Sequence, residues 1–209
     1  MTIRAVLVDD HPVVRMGYAR LLDQAGDIAV VGEADDGEAA YALVPRVDPD
    51  VVVTDLSLPG IGGLELVRRL RARDPDLRIL VFTMHESPVL VRRALEFGAS
   101  GFLAKSSAPN ALVAAVREVV RGRPVPAGER GGAQQDEGNL LENLTPREFE
   151  VFRQLALGRS PGECARVLHL SLKTVANYQT ILKDKLGVAT TAALVHLALR
   201  HGVICPESA

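Results

Sequence analysis

Five short runs of β-branched and aliphatic residues recur along the first 121 positions, each followed by a stretch with helical periodicity. This alternation constrains the fold more than any other feature of the chain. The runs cover residues 4–8, 29–33, 51–54, 78–82 and 101–103. The helical stretches cover 12–25, 37–44, 63–73, 88–97 and 109–121. Runs this short and this apolar read as strands buried on both faces. Five βα units of about 25 residues each predict a doubly wound parallel α/β sheet with helices on both sides. Asp74-Pro75 and Phe97-Gly98 punctuate helix ends within it.

The strand ends carry the chemistry. Arg4-Ala5-Val6-Leu7-Val8 runs straight into Asp9-Asp10, and Val51-Val52-Val53-Thr54 runs straight into Asp55. In a parallel sheet, groups just past the carboxyl ends of the strands converge on one crevice, where ligands bind. Three carboxylates gathered there repel one another unless a cation joins them. A small hard cation with oxygen ligands, Mg²⁺ first, is the natural occupant, held by Asp9, Asp10 and Asp55. Thr83 ends the fourth strand and Lys105 follows the fifth, so a hydroxyl and an ammonium point into the same crevice. Each can bond a phosphoryl oxygen, and a carboxylate at Asp55 can attack a phosphoryl donor to form an acyl phosphate. Taken singly, an Asp pair after a strand is a cap or solvated turn, and a lone Lys is solvated surface. Four strand ends carrying the set together change that balance.

Residues 122–139 are rich in Gly, Pro, Gln and charge, with one Val and no larger apolar residue. Such a stretch cannot bury enough surface to order itself and reads as a flexible linker. After it the strand grammar stops. Thr145-Pro146-Arg147-Glu148 is a capping box with Pro at the first helical position. Further helices are expected over 161–168, 171–186 and 190–201, so residues 140–209 make a small all-α domain. Its second and third helices, joined by a tight turn, look like a helix-turn-helix. In the third, Val175, Ile181 or Tyr178, Leu182 and Leu186 form the inward stripe. Lys173, Ala176, Asn177, Thr180, Lys183 and Asp184 largely face out, which suits lysines on phosphates and small or amide side chains on base edges. A solvated amphipathic helix has the same composition, and the periodicity by itself does not separate the two.

Charge is distributed accordingly. Residues 1–139 hold 16 Lys/Arg against 20 Asp/Glu, a net −4, and residues 140–209 hold 8 against 6, a net +2. That permits nucleic-acid contact by the back half without establishing it. Uncharged apolar stretches fall far short of the ~20 residues of a bilayer span. Met1-Thr2-Ile3 leads directly into a strand, leaving no room for a signal peptide. Cys164 and Cys205 make neither a disulfide framework nor a metal spacing. A cytoplasmic, non-membrane location is expected.

These motifs carry a resemblance. Val-Asp9-Asp10-His-Pro, Thr-Asp55-Leu-Ser-Leu-Pro-Gly, Phe-Thr83 and Leu-Ala-Lys105 make residues 1–121 similar to two-component receiver domains. The resemblance implies that Asp55 is the phosphoacceptor, Asp9 and Asp10 the acidic metal pair, Thr83 the switch hydroxyl, Lys105 the phosphate-binding lysine and Phe102 the switch aromatic. The donor would be a phosphohistidine on a sensor histidine kinase. Leu58 stands where the family often has Met, and Ser106 where Pro is more widespread. Ser57 and His85, two residues beyond Asp55 and Thr83, lie over the mouth and are expected to tune acyl-phosphate lifetime.

Residues 144–203 resemble the LuxR-type helix-turn-helix of the NarL/FixJ group. They carry Leu144-Thr145-Pro146-Arg147-Glu148, Glu150-Val151, Leu155-Ala156-Leu157-Gly158, Ser171-x-x-Thr174-Val175 and Lys185-Leu186-Gly187-Val188. That resemblance puts Lys173, Thr174, Tyr178 and Lys183 or Lys185 on the DNA backbone, and Ala176, Asn177 and Thr180 at base edges. Pro161-Gly162 replaces the usual Asn-Lys, Tyr178 stands where His is commoner, and Thr191 where Arg is. Fewer cationic contacts weaken a monomer, which dimerisation over two half-sites would restore. His196 and His201, on the last helix, read as core packing plus a dimer face.

The expectation is therefore a phosphorylation-controlled DNA-binding regulator, not an enzyme beyond slow self-phosphorylation and self-dephosphorylation. Two rivals make different predictions. A pure protein-interaction module would show no salt-dependent, sequence-selective DNA retardation. A hydrolase working through an aspartyl phosphate would need a cap domain, and no insertion that large interrupts residues 1–121.

Overall fold

A computed structural model of the chain describes residues 2–84, 87–123, 125 and 140–204. Five strands, β1 (Ile3–Val8), β2 (Ile28–Ala34), β3 (Val51–Thr54), β4 (Arg78–Thr83) and β5 (Gly101–Ala104), alternate with five helices. These are α1 (Pro12–Asp23), α2 (Gly37–Val47), α3 (Gly63–Arg73), α4 (Pro88–Glu96) and α5 (Pro109–Val120). The strands form one parallel sheet in the order β2-β1-β3-β4-β5. The order reverses at β1, which puts a crevice between β1 and β3 at their carboxyl ends.

Alternate strand residues serve two cores, as the period of two in a strand requires. Val6, Val8, Val52, Ile79, Val81 and Phe102 pack under α2, α3 and α4 with Leu66, Leu70 and Leu90. Ala5, Leu7, Val51, Val53, Leu80 and Phe82 pack under α1 and α5 with Leu22, Leu112 and Val116. The strands are thus buried on both faces, and their β-branched runs follow from that.

One boundary departs from the sequence reading in an instructive way. The sequence pattern predicts the second helix over 37–44, yet α2 runs on to Val47 with Pro45 inside it. The missing N–H falls in the last turn, where it costs one hydrogen bond. Asp48, in the left-handed conformation at φ 44°, then donates its backbone N–H to the Val44 carbonyl and closes the helix.

The second unit starts with a 3-10 turn (Leu140–Asn143) and continues through α6 (Pro146–Ala156), α7 (Pro161–Val167), α8 (Leu172–Leu186) and α9 (Thr191–Arg200). Thr145 and Ser160 both cap with complete capping boxes, to Glu148 and Glu163. Most of the segment read as a linker, residues 124 and 126–139, lies outside the described residues. Val125 bridges Gly101 at the start of β5.

α6 holds the two units together. Ten of its eleven residues, Glu148, Glu150, Arg153 and Gln154 among them, are buried. A helix buried all round lies between two partners. α6 packs on α8 and α9 with one side and on α3 of the sheet unit with the other.

Candidate functional site

The carboxyl ends of β1, β3, β4 and β5 bring Asp9, Asp55, Thr83 and Lys105 together. Asp9, Asp55 and Thr83 are all buried. The Lys105 ammonium lies between the first two, 2.6 Å from Asp9 Oδ2 and 2.7 Å from Asp55 Oδ2. Asp55 Oδ1 accepts from the backbone N–H groups of Leu56 (2.6 Å) and Ser57 (3.1 Å), and the carboxylate is also hydrogen-bonded by the Thr83 side chain. Asp9 Oδ1 accepts from the His11 backbone at 2.9 Å, and the Lys105 backbone N–H donates to the Thr83 carbonyl at 2.8 Å.

The electrostatics follow from this packing. Burial pushes the Asp55 carboxyl up, but the Lys105 charge and the hydrogen bonds from Lys105, Ser57 and Thr83 outweigh it and hold Asp55 below the usual carboxylate range. Burial pushes Lys105 down, and Asp55 with Asp9 overrides that, so its ammonium is held more firmly than an exposed lysine's. Asp55 is therefore held in its ionised form and fixed in orientation by four donors.

Asp10 stands beside this pair with its side chain one-third exposed. Donor atoms of Asp9, Asp10 and His11 lie within 4.8 Å of one another. His11, which the sequence reading did not single out, brings Nδ1 to 2.7 Å from Asp10 Oδ1, although that buried oxygen has no partner in hydrogen-bond geometry. An orphaned carboxylate oxygen next to a second carboxylate fits a hard divalent cation. Asp55 lies outside that tight group and is joined to Asp9 through Lys105. Phe102 is buried in the α3–α4 core. His85 lies outside the described residues.

Ser57 brings a group that sequence reasoning missed. Its Oγ accepts from Arg153 of α6 at 3.0 Å, so the helical unit touches the loop that holds Asp55. Around this contact, Gly60 donates its N–H to the Val167 carbonyl at 3.0 Å and its carbonyl accepts from Arg147. Arg93 of α4 donates to the Glu142 and Leu144 carbonyls, with its guanidinium 5.2 Å from the Phe149 ring centroid. Glu150, buried against Gly62, has its pKa pushed up to about 8 by desolvation, which outweighs the nearby Arg147 and Arg153 charges. The only sequence signal for this cluster is a run of charges on both faces of an otherwise well-formed helix, and an ordinary surface helix carries the same signal.

The helix-turn-helix geometry is set by its caps. His169, at φ 50°, makes the turn after α7, and Ser171 caps α8 by accepting from the Thr174 N–H at 3.0 Å. Val175, Leu182 and Leu186 are buried, with Tyr178 and Ile181 half-buried beside them. Lys173, Ala176, Asn177 and Thr180 are exposed, while Thr174 and Lys183 are half-buried. Lys185 is engaged within the domain, 2.8 Å from Glu148 Oε2 and 3.2 Å from the Asn143 carbonyl. The outward face of α8 is thus open to solvent while α6 is docked on α3.

Comparison with known proteins agrees with this arrangement. Residues 5–117 match the response regulator receiver domain family, and residues 142–198 match the bacterial regulatory proteins of the luxR family. The transcriptional activator protein ExaE of Pseudomonas putida is 45% identical over 207 residues, covering 95% of this chain and 97% of that protein. RcsB of Salmonella typhimurium superposes with a TM-score of 0.71 at 32% identity, over 94% of this chain and 96% of the other. RcsB from Salmonella enterica serovar Typhimurium, bound to promoter DNA in the presence of the phosphomimetic BeF3-, superposes with a TM-score of 0.67 at 30% identity, over 94% and 98%. This chain belongs to the response regulators, joining a receiver domain to a LuxR-type DNA-binding domain.

Proposed function

We propose that this response regulator is switched by phosphorylation of Asp55 and answers by binding promoter DNA through α8. The observation that carries the reading is the Lys105 ammonium bridging Asp9 and Asp55 at 2.6 and 2.7 Å. With the Thr83 side chain beside them in the same buried crevice, these groups support a nucleophilic role for the Asp55 carboxylate.

An Asp55 oxygen attacks the phosphorus of a phosphohistidine on a sensor histidine kinase. The new oxygen–phosphorus bond forms as the phosphorus–nitrogen bond breaks, and the imidazole leaves with the electron pair. Asp9 and Asp10, with Asp55, would hold Mg²⁺, whose charge offsets the repulsion between carboxylate and phosphoryl oxygens when bound. Lys105 then exchanges a carboxylate partner for a phosphoryl oxygen, and the Thr83 hydroxyl turns to another. The modification adds roughly −1.5 to −2 charge. The receiver's two states shift only by their difference in affinity for that group.

Because the outward face of α8 is exposed with the domains docked, the receiver does not act by covering that face. Docking fixes where α8 points, and release or receiver dimerisation lets two copies meet two half-sites. Lys173, Thr174, Tyr178 and Lys183 contact phosphates, and Ala176, Asn177 and Thr180 read base edges. The promoter-bound RcsB structures support DNA as the partner. Among the described residues no helix is long and apolar enough to cross a membrane. We assign the chain to the cytoplasm because its DNA-binding domain works on the chromosome.

Acetyl phosphate with Mg²⁺ tests the first step. The wild-type chain should gain one phosphoryl group by intact mass, and Asp55→Ala should gain none.

A further inference from the structure

We propose that Arg153, a residue of the DNA-binding domain, is a positioning residue for the receiver's phosphoryl chemistry, prolonging the life of the acyl phosphate through its contact with Ser57. The inference rests on the reading of Asp55 as phosphoacceptor.

Ser57 serves two masters. Its backbone N–H holds Asp55 Oδ1 at 3.1 Å, and its Oγ accepts from Arg153 at 3.0 Å. Arg153 is buried, an uncommon state for a guanidinium that is tolerated only with partners. Burial works against its charge and outweighs the opposing pull of Glu150 on its own helix, present only when that acid is ionised, and of Asp55 across the interface. The domain contact is thus built around a cation aimed at the phosphoacceptor loop. A phosphoryl group on Asp55 adds negative charge on that side.

Loss of the phosphoryl group requires water. A water oxygen attacks phosphorus opposite Asp55, the bond from phosphorus to the Asp55 oxygen breaks, and its electron pair returns to the carboxylate. Inorganic phosphate leaves carrying the new oxygen, with the surplus proton passing to solvent. Ser57 lies two residues beyond Asp55 and holds that carboxylate through its backbone N–H. In phosphorylated chains whose α6 remains docked on α3, the Ser57 Oγ stays tied by a lone pair to the buried Arg153 side chain, which restricts the approach of water and its orientation by the hydroxyl. Removing the guanidinium opens that side. The DNA-binding domain therefore affects how long the signal lasts as well as reading it.

The test uses the full-length chain, loaded with acetyl phosphate and freed of donor, with loss of phosphate followed by intact mass. Arg153→Ala should shorten the half-life roughly three- to tenfold, the scale of one positioning contact on a barrier. Arg153→Lys, which keeps charge and stem without the planar fork, should fall between Ala and wild type. In a Ser57→Ala background, Arg153→Ala should change nothing further. An unchanged half-life in Arg153→Ala overturns the proposal, as does a full effect that persists without the Ser57 hydroxyl, which marks general loosening of the interface. Should Arg153→Ala fail to fold, a wild-type half-life in Arg153→Lys overturns it equally. A wild-type chain that takes up no phosphoryl group overturns the Asp55 reading itself, and the proposal with it.

Discussion

A Cβ on Gly62 would sit 1.8 Å from Oε1 of Glu150, a residue of the other domain. Gly62 has φ +70° and caps α3, so the backbone favours glycine there, and the buried Glu150 carboxylate would have to shift to admit a Cβ. Gly62→Ala should therefore undock α6 from α3, adding a steric cost on the order of 1–3 kcal/mol to the backbone strain. Hydrogen exchange should show α6 losing protection while β1, β3 and β4 keep theirs. Glu150→Ala combined with Gly62→Ala should recover part of it. Full α6 protection in Gly62→Ala would show that this packing does not hold the domains.

Glu150 also gives the docking a pH dependence. Its pKa rises to about 8 in the docked state, against 4.5 as its ordinary value. An acid with a raised pKa favours the docked state fully below its ordinary value, and that contribution is lost as pH climbs towards 8. The groups facing it are Arg147 and Arg153 on α6 and, from α3, Glu65, whose charge adds to the upward shift. Docking should weaken by up to about tenfold per pH unit from just above 4.5 to about 8 and level off above, while Glu150→Gln stays flat. Hydrogen exchange of α6, corrected for intrinsic pH effects, reads this directly; a slope unaltered by Glu150→Gln would assign the dependence elsewhere.

Lys105 bridges two buried carboxylates, and replacing it by Met leaves Asp9 and Asp55 facing each other without that cation. Asp55 should then titrate at higher pH than in the wild type, the reverse of its present depression. The melting temperature should fall and be raised by Mg²⁺ more than in the wild type, since a divalent ion takes over the same charge. Equal Mg²⁺ responses in the two proteins would count against Asp9, Asp10 and Asp55 as its ligands.

On the DNA side, α8 separates into residues with different expected phenotypes. Asn177→Ala should relax sequence preference at one base position, costing about 1–3 kcal/mol of discrimination. Lys173→Ala should weaken binding to all sequences and lower the salt slope by about 1. Lys185→Ala should instead destabilise the helical domain, because its ammonium is held by Glu148 and the Asn143 carbonyl. Salt titrations of binding, alongside thermal melts of each variant, distinguish these three outcomes.

The receiver was legible in the sequence because its chemistry and its fold share residues. Strands buried on both faces leave continuous β-branched runs, and each run ends where a functional side chain begins, as at Val8-Asp9 and Thr54-Asp55. The inward stripe of α8 was legible for the same reason, since Val175, Leu182 and Leu186 repeat at the helical period. The domain contact was not. Arg147, Glu150 and Arg153 carry charges, and charges on a helix normally mean solvent. Here Glu150 and Arg153 are buried and Arg147 is half-buried against the second domain, which supplies the Gly60 carbonyl to Arg147 and the Ser57 hydroxyl to Arg153, partners that leave no trace in local spacing. The end of α2 was not legible either, because the helix runs three residues past Val44, through Pro45, to the left-handed cap at Asp48.

The central claim is that the state of Asp55 sets how α8 meets DNA, and promoter-fragment retardation at fixed salt, with and without acetyl phosphate and Mg²⁺, tests it most directly. Wild-type protein should bind at least several-fold more tightly when the phosphodonor is present, and Asp55→Ala should bind equally with and without it. Identical occupancy of wild-type protein in both conditions, or an Asp55→Ala protein that still responds to the donor, would contradict the account.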